Sequence, residues 1–161
     1  MQFAEAFGKK FVENKELIRI RTFEMGSHTF KVKVPLTAEY DAMIERLKTP
    51  DEAKVTEYYE KLTAEFLKRK DEMTEDLGIV FKDDDIQIQG RSMKEAASNK
   101  ALTEMRILEM FKLLVPEEQG FDMGTISYEM IEELFPFSIQ IELIEKISDT
   151  ISPSYKETKG K

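Results

Sequence analysis

Residues 29–47, TFKVKVPLTAEYDAMIERL, carry an alternating strand into a proline and straight on into an amphipathic helix. Phe30, Val32 and Val34 fall on one face of a period-two pattern, and Thr29, Lys31 and Lys33 fall on the other. That alternation predicts a half-buried antiparallel strand. Pro35 has no N–H to offer a ladder, so the strand is expected to stop there, with Thr37 as the N-cap of the next helix. This helix, 38–48, is expected to bury Met43, Ile44 and Leu47 with Tyr40 alongside.

Upstream, residues 16–24, ELIRIRTFE, alternate again, with Ile18, Ile20 and Thr22 opposed to Leu17, Arg19, Arg21 and Phe23. Met25-Gly26-Ser27 follows as the turn, which makes the two runs a β-hairpin. A lone hairpin is marginal in water, so it must pack on a helix or add to another sheet. Its edges carry Arg19, Arg21, Lys31 and Lys33. Protection of the edge from promiscuous pairing is the favoured reading of these charges, and a patch for an acidic partner is the other. Before the hairpin, residues 2–14 form a helical arm in which Phe3, Phe7 and Phe11 recur every four residues along one stripe. The stripe must be covered, either by the chain's own body, the favoured arrangement, or by another subunit.

Downstream, residues 49–52, TPDE, read as a helix start, with Thr49 as N-cap, Pro50 in first position and Glu52 closing a capping box. An apolar stripe then runs through Val55, Tyr59, Leu62 and Phe66, breaks at Arg69 and resumes at Met73 and Leu77 before Gly78. Unbroken, that helix spans roughly 42 Å. The polar stretch 68–72, KRKDE, is where a bend or an exposed segment is expected. Residues 79–81 and 86–88 read as two short strands around Lys82-Asp83-Asp84-Asp85. The aspartate run lacks the alternating donors, glycine and closing glutamate of a calcium loop, so a solvated turn is expected.

Ser92-x-x-Glu95 is a second capping box and opens the helix expected at the centre of the core, 93–115, whose polar positions near its end are Arg106, Glu109 and Lys112. It is also the expected cover for the 29–47 corner. A loop at 116–124 leads to a short helix, 127–135, then Pro136 and a last helix, 137–151, with Ile139, Leu143, Ile144, Ile147 and Ile151 on its apolar side. The expected fold is therefore α+β and mainly helical: an N-terminal β-hairpin packed on a bundle of about five helices, with a second short hairpin. Residues 1–155 form one domain with residues 1–14 as its arm, and 156–161 form a flexible tail.

The chain of 161 residues is 41% hydrophobic and 35% charged with few Gly and Pro, which suits a folded helical protein. It has no cysteine, which excludes thiol nucleophiles, zinc–thiolate sites and disulfides. No signal-peptide core and no membrane span are read, so the expectation is a soluble intracellular protein. The net charge of -8 is unevenly spread, with 7 Lys/Arg against 19 Asp/Glu in residues 71–155. Such an acidic body disfavours nucleic acid, whose binding rests on clustered cations, and favours a basic partner.

Chemistry is sparse. His28 is the single histidine and cannot complete a triad or a metal site with a second one. No glycine-rich phosphate loop, GxSxG or HExxH occurs. Neither an enzyme, a cofactor nor a metal is expected. The 9 methionines suit adaptable apolar surfaces. Met105 and Met110 read as core, whereas Met25 by the turn and Met123 in a loop are harder to place there.

The order of elements resembles the tail assembly chaperones of long-tailed bacteriophages. Two stretches carry the resemblance: the strand-Pro-x-Thr-Ala-Glu junction at 30–39, and Phe-Pro-Phe-Ser-Ile-Gln at 135–140 leading into a terminal amphipathic helix. The resemblance implies a non-enzymatic protein of the host cytoplasm, absent from the mature virion. Several copies would coat the long helical tape measure protein, keep its apolar stripes from aggregating and recruit the major tail-tube protein. It also implies self-association and a frameshift-extended form, for which Lys159-Gly160-Lys161 suits a slippery coding run, a plain basic tail being the other reading of those residues. The expected partner-binding residues are Phe3, Phe7 and Phe11, or the hairpin edge with Arg19, Arg21, Lys31 and Lys33, linking copies. Phe135, Phe137 and Ile139 beside the terminal helix are expected to take the client. The alternatives are a structural tail or head–tail connector subunit retained in the virion, and a small helical regulator of a host protein.

Overall fold

The computed structural model describes residues 1–72 and 78–152. Its helices are α1 (Lys9–Asn14), α2 (Thr37–Arg46), α3 (Glu52–Lys68), α4 (Met93–Phe111), α5 (Tyr128–Leu134) and α6 (Phe137–Ile151). Its strands are β1 (Ile20–Met25), β2 (His28–Lys33), β3 (Ile79–Phe81), β4 (Ile86–Ile88), β5 (Arg91–Ser92) and β6 (Leu114–Val115). The fold is α+β and mainly helical, with the N-terminal hairpin packed on helices and the expected second short hairpin, β3–β4, extended by β5 into a small sheet. The chain divides into two compact units, Met1–Met43 with Ile107–Lys161, and Ile44–Arg106. The expected tail, 156–161, lies outside the described residues.

In the first unit the hairpin closes through Gly26 (φ 59°) and Ser27 (φ 64°). Two successive left-handed residues make the turn whose twist matches that of its strands. The register sets Phe23 opposite Phe30 and Arg21 opposite Val32, so the first strand presents Arg21, Phe23 and Met25 to the Phe30/Val32 side. The Phe23 and Phe30 rings stack at 5.3 Å. β1 begins only at Ile20, because Lys15–Arg19 is a tight 3₁₀ turn, which leaves Leu17 and Ile18 outside the ladder and exposed.

Cover for the sheet differs from expectation. α6 packs on β1 and β2. The expected 93–115 helix stops at Phe111, and its last residues form β6, which pairs antiparallel with β2 at Lys31↔Val115 and Val32↔Leu114. The Lys33 amide extends this pairing to the Leu113 carbonyl at 2.9 Å. Pro116 disfavours helical backbone at Val115, and the outer edge of β2 supplies the unpaired groups that a strand there satisfies. The edge bearing Lys31 and Lys33 is thus covered by the chain itself, and β1 is the long edge strand of the order β1-β2-β6.

The start of α2 also shifts. Thr37 is its first helical residue and not its cap: the Tyr40 amide donates to the Leu36 carbonyl at 2.9 Å, and the Leu36 amide donates to Glu39 Oε1 at 2.8 Å. The acid of Thr-Ala-Glu reaches back to the Leu36 amide, the reciprocal half of a capping box, and Leu36 stands at the position expected for the threonine. Met43 is buried and Leu47 half-buried, whereas Ile44 is exposed. Elsewhere in this unit the buried apolar residues are Val32, Ile107, Met110, Phe111, Ile131, Leu143, Ile144, Ile147 and Ile151, four of which α6 supplies as read from its spacing.

In the second unit α3 begins at Glu52, and its cap is Asp51, whose carboxylate accepts from the Ala53 amide at 3.0 Å, with Pro50 before it. A carboxylate at a helix N-terminus takes both the orphan donor and the dipole's favour, which Thr49 two residues earlier could not reach. α3 ends at Lys68, since Arg69 leaves helical geometry (φ −112°, ψ 27°). Its 17 residues span about 25 Å at ~1.5 Å each. The break falls in the polar stretch where a bend was expected, and Met73 and Leu77 lie outside the described residues. Inside the helix, Val55 packs with Ala97 and Ala101 of α4 and with Tyr58 and Tyr59. Thr63 is buried where Leu62 was expected, its hydroxyl donating to the Tyr59 carbonyl at 2.7 Å, while Leu62 is exposed. Glu104 is also buried, and its Oε2 has no hydrogen-bond partner among the described residues.

The aspartate turn is only partly solvated. Asp83 and Asp84 are exposed, but Asp85 takes the Ser92 hydroxyl and the Ile86 and Lys94 amides. Ser92 in turn accepts from the Glu95 amide at 3.0 Å, so the predicted cap of α4 is real and is itself held by Asp85. A third strand, β5, follows the Gln89-Gly90 turn (φ 51° and 81°) and brings Ser92 back beside β4. Desolvation pushes the Asp85 carboxyl up, yet the Ser92 hydroxyl, the two amides and the Lys94 charge together hold it below its ordinary value of 3.8. A carboxyl depressed on folding contributes stability above its unfolded pKa and loses it as pH falls through the folded one. Asp85→Ala is therefore expected to cost about 2 kcal/mol near neutral pH. Its stability should also vary less than wild type below about pH 4, as read by thermal unfolding across that range. Parallel curves for the two proteins would refute the role given to Asp85.

Candidate interaction surfaces

The phenylalanine arm is not one helix. Gly8 (φ 93°) divides it into a 3₁₀ turn, Phe3–Phe7, and α1. Glycine adopts that backbone without the penalty a side chain carries, so the chain bends there. The three rings nevertheless form a continuous file, Phe3 to Phe7 at 5.2 Å edge-on and Phe7 to Phe11 at 5.1 Å. The favoured expectation of docking on the chain's own body is not what is found: Phe3 is 82% and Phe7 59% exposed, and only Phe11 is half-buried. Leu17 and Ile18, 65% and 72% exposed, continue the uncovered apolar surface in sequence.

The four basic residues of the hairpin have separate fates. The Arg19 guanidinium donates from Nε to the Val34 carbonyl at 2.9 Å, from Nη1 to Glu16 at 3.1 Å, and from Nη2 to Glu39. Lys33 pairs with Glu16 at 2.8 Å. The Lys33 hydrogen bond, against opposing desolvation, and then Arg19 and Lys15 hold the Glu16 carboxyl below its usual range. Glu39 is lowered first by the Leu36 amide, again against desolvation, and then by Arg19 and Lys33. Arg21 reaches across 129 positions of sequence to the Thr150 carbonyl at 2.9 Å, filling one of the orphan acceptors at the end of α6. Arg19 and Lys33 thus brace the strand-to-helix corner, Arg21 ties β1 to the end of α6, and Lys31 is exposed.

The third surface is the elbow between α5 and α6. Phe135 is half-buried with its ring edge-on to Phe111 at 5.7 Å, and Ile139 is half-buried. Phe137 is 56% exposed, and beside it in sequence Leu134 is 71% and Met130 45% exposed. Met130 and Leu134 stand one turn apart on the same side of α5, and the exposed acids Glu132 and Glu133 belong to the same short helix. The elbow is locked by a residue that the sequence reading passed over. Gln140 is buried, accepts from the Tyr128 hydroxyl at 2.8 Å and donates to the Phe135 carbonyl at 2.8 Å. Its place on the inward spacing with Leu143, Ile144 and Ile147 was the available signal. Leu134 and Met130 were missed as well, although Ile131 as the inward residue of α5 leaves both on the outside.

A shallow cleft of about 200 Å³ lies beside β2 and β6, lined by His28, Phe30, Lys31, Leu114, Pro116 and Met123 among others. It gives Met123 a place, and the His28 ring sits edge-on to Phe30 at 4.6 Å. Among the described residues no group of three His, Cys, Asp or Glu is placed to hold a metal ion, and no helix is long and apolar enough to cross a membrane. No protein-family model, curated protein or solved structure matches the chain.

Proposed function

We propose that this chain is a non-enzymatic tail assembly chaperone of a long-tailed bacteriophage, which binds the tape measure protein in the host cytoplasm and holds it for the arriving tail-tube subunits. The observation that carries the reading is the exposure of large apolar side chains at a rigid, charged elbow. Leu134, Phe137 and Met130 stand open to solvent while Gln140 and the Phe111–Phe135 contact fix the backbone beneath them. Large open apolar side chains on a charged surface are what an apolar helix stripe can use. The chain's net charge of -8 keeps the occupied chaperone dispersed and draws basic flanks of a client. A chaperone that the tube must displace needs modest contacts of this kind and not a tight pocket.

A chaperone leaves the particle, so mass spectrometry of purified virions is expected to find no stoichiometric amount of this chain, while lysates of infected cells contain it. Its presence in virions at the copy number of a tail component would refute the proposal in favour of a structural subunit.

A further inference from the structure

We draw no further inference here: the strongest candidate, the outer edge of β1, which no strand pairs among the described residues, carries nothing, because nothing in the structure shows what covers it and its pairing with a second copy restates the self-association that the resemblance already implies.

Discussion

Ile147→Ala is expected to lower the stability of the first compact unit by about 3–4 kcal/mol, the largest effect of any single truncation in α6. Ile147 has no exposed surface, on a helix that packs against β1 and β2. Removing three carbons there loses their transfer free energy and opens a cavity that the sheet and helix cannot close without moving the hairpin. The neighbouring Ile139, half-buried on the first turn, should cost about 1 kcal/mol or less when truncated in the same way. Gln140→Ala falls between, at roughly 2 kcal/mol, since it removes two hydrogen bonds at once, to the Phe135 carbonyl and from the Tyr128 hydroxyl. Native-state hydrogen exchange at α6 amides reads these losses locally, which matters in a chain of two compact units. An Ile147→Ala protein exchanging as slowly as Ile139→Ala would contradict the placing of α6 at the centre of this unit.

Where local chemistry decides, the fold was legible before any coordinates. The alternation and proline at 29–35, the Ser92 cap, and the spacing of Leu143, Ile144, Ile147 and Ile151 each settle an element within a few residues of chain, and the strand, the cap and the last helix are found there. Where distant pairing decides, it was not. Residues 112–115 continue a helical pattern by themselves, yet 112–113 turn and Leu114–Val115 become a strand because β2 offers an edge some 80 positions away and Pro116 prevents the helix from going further. Arg21 gave no sign that its partner is the end of α6. Caps slipped by a residue or two, to Asp51 and to the Leu36–Glu39 pair, because several adjacent side chains there can take an orphan amide and only geometry picks one.

The interaction surfaces divide in the same way. Phe137 was read from sequence as a client-binding residue and is exposed, whereas Phe3 and Phe7, whose favoured reading was docking on the chain's own body, are exposed instead. Arg19, Arg21 and Lys33, which charge alone makes look like a patch, are engaged within the fold. The elbow's remaining members became visible only once Ile131 was seen to face inward and leave Met130 and Leu134 outside.

The second large effect concerns the client. Leu134→Ser with Phe137→Ser removes the most exposed apolar side chains of the elbow without touching Gln140 or the Phe111–Phe135 contact, so folding should be preserved. Each exposed side chain of this size is worth about 1.5–3 kcal/mol when fully covered by a partner. Losing both should weaken client binding by at least a hundredfold. The most direct measurement is co-expression of the tape measure protein with no chaperone, with the wild-type chain, and with this double variant, followed by fractionation and affinity capture of the tape measure. The account predicts a soluble tape measure that captures the wild-type chain, and an insoluble one in the other two arms. A tape measure equally soluble in all three, capturing neither form of the chain, would contradict it.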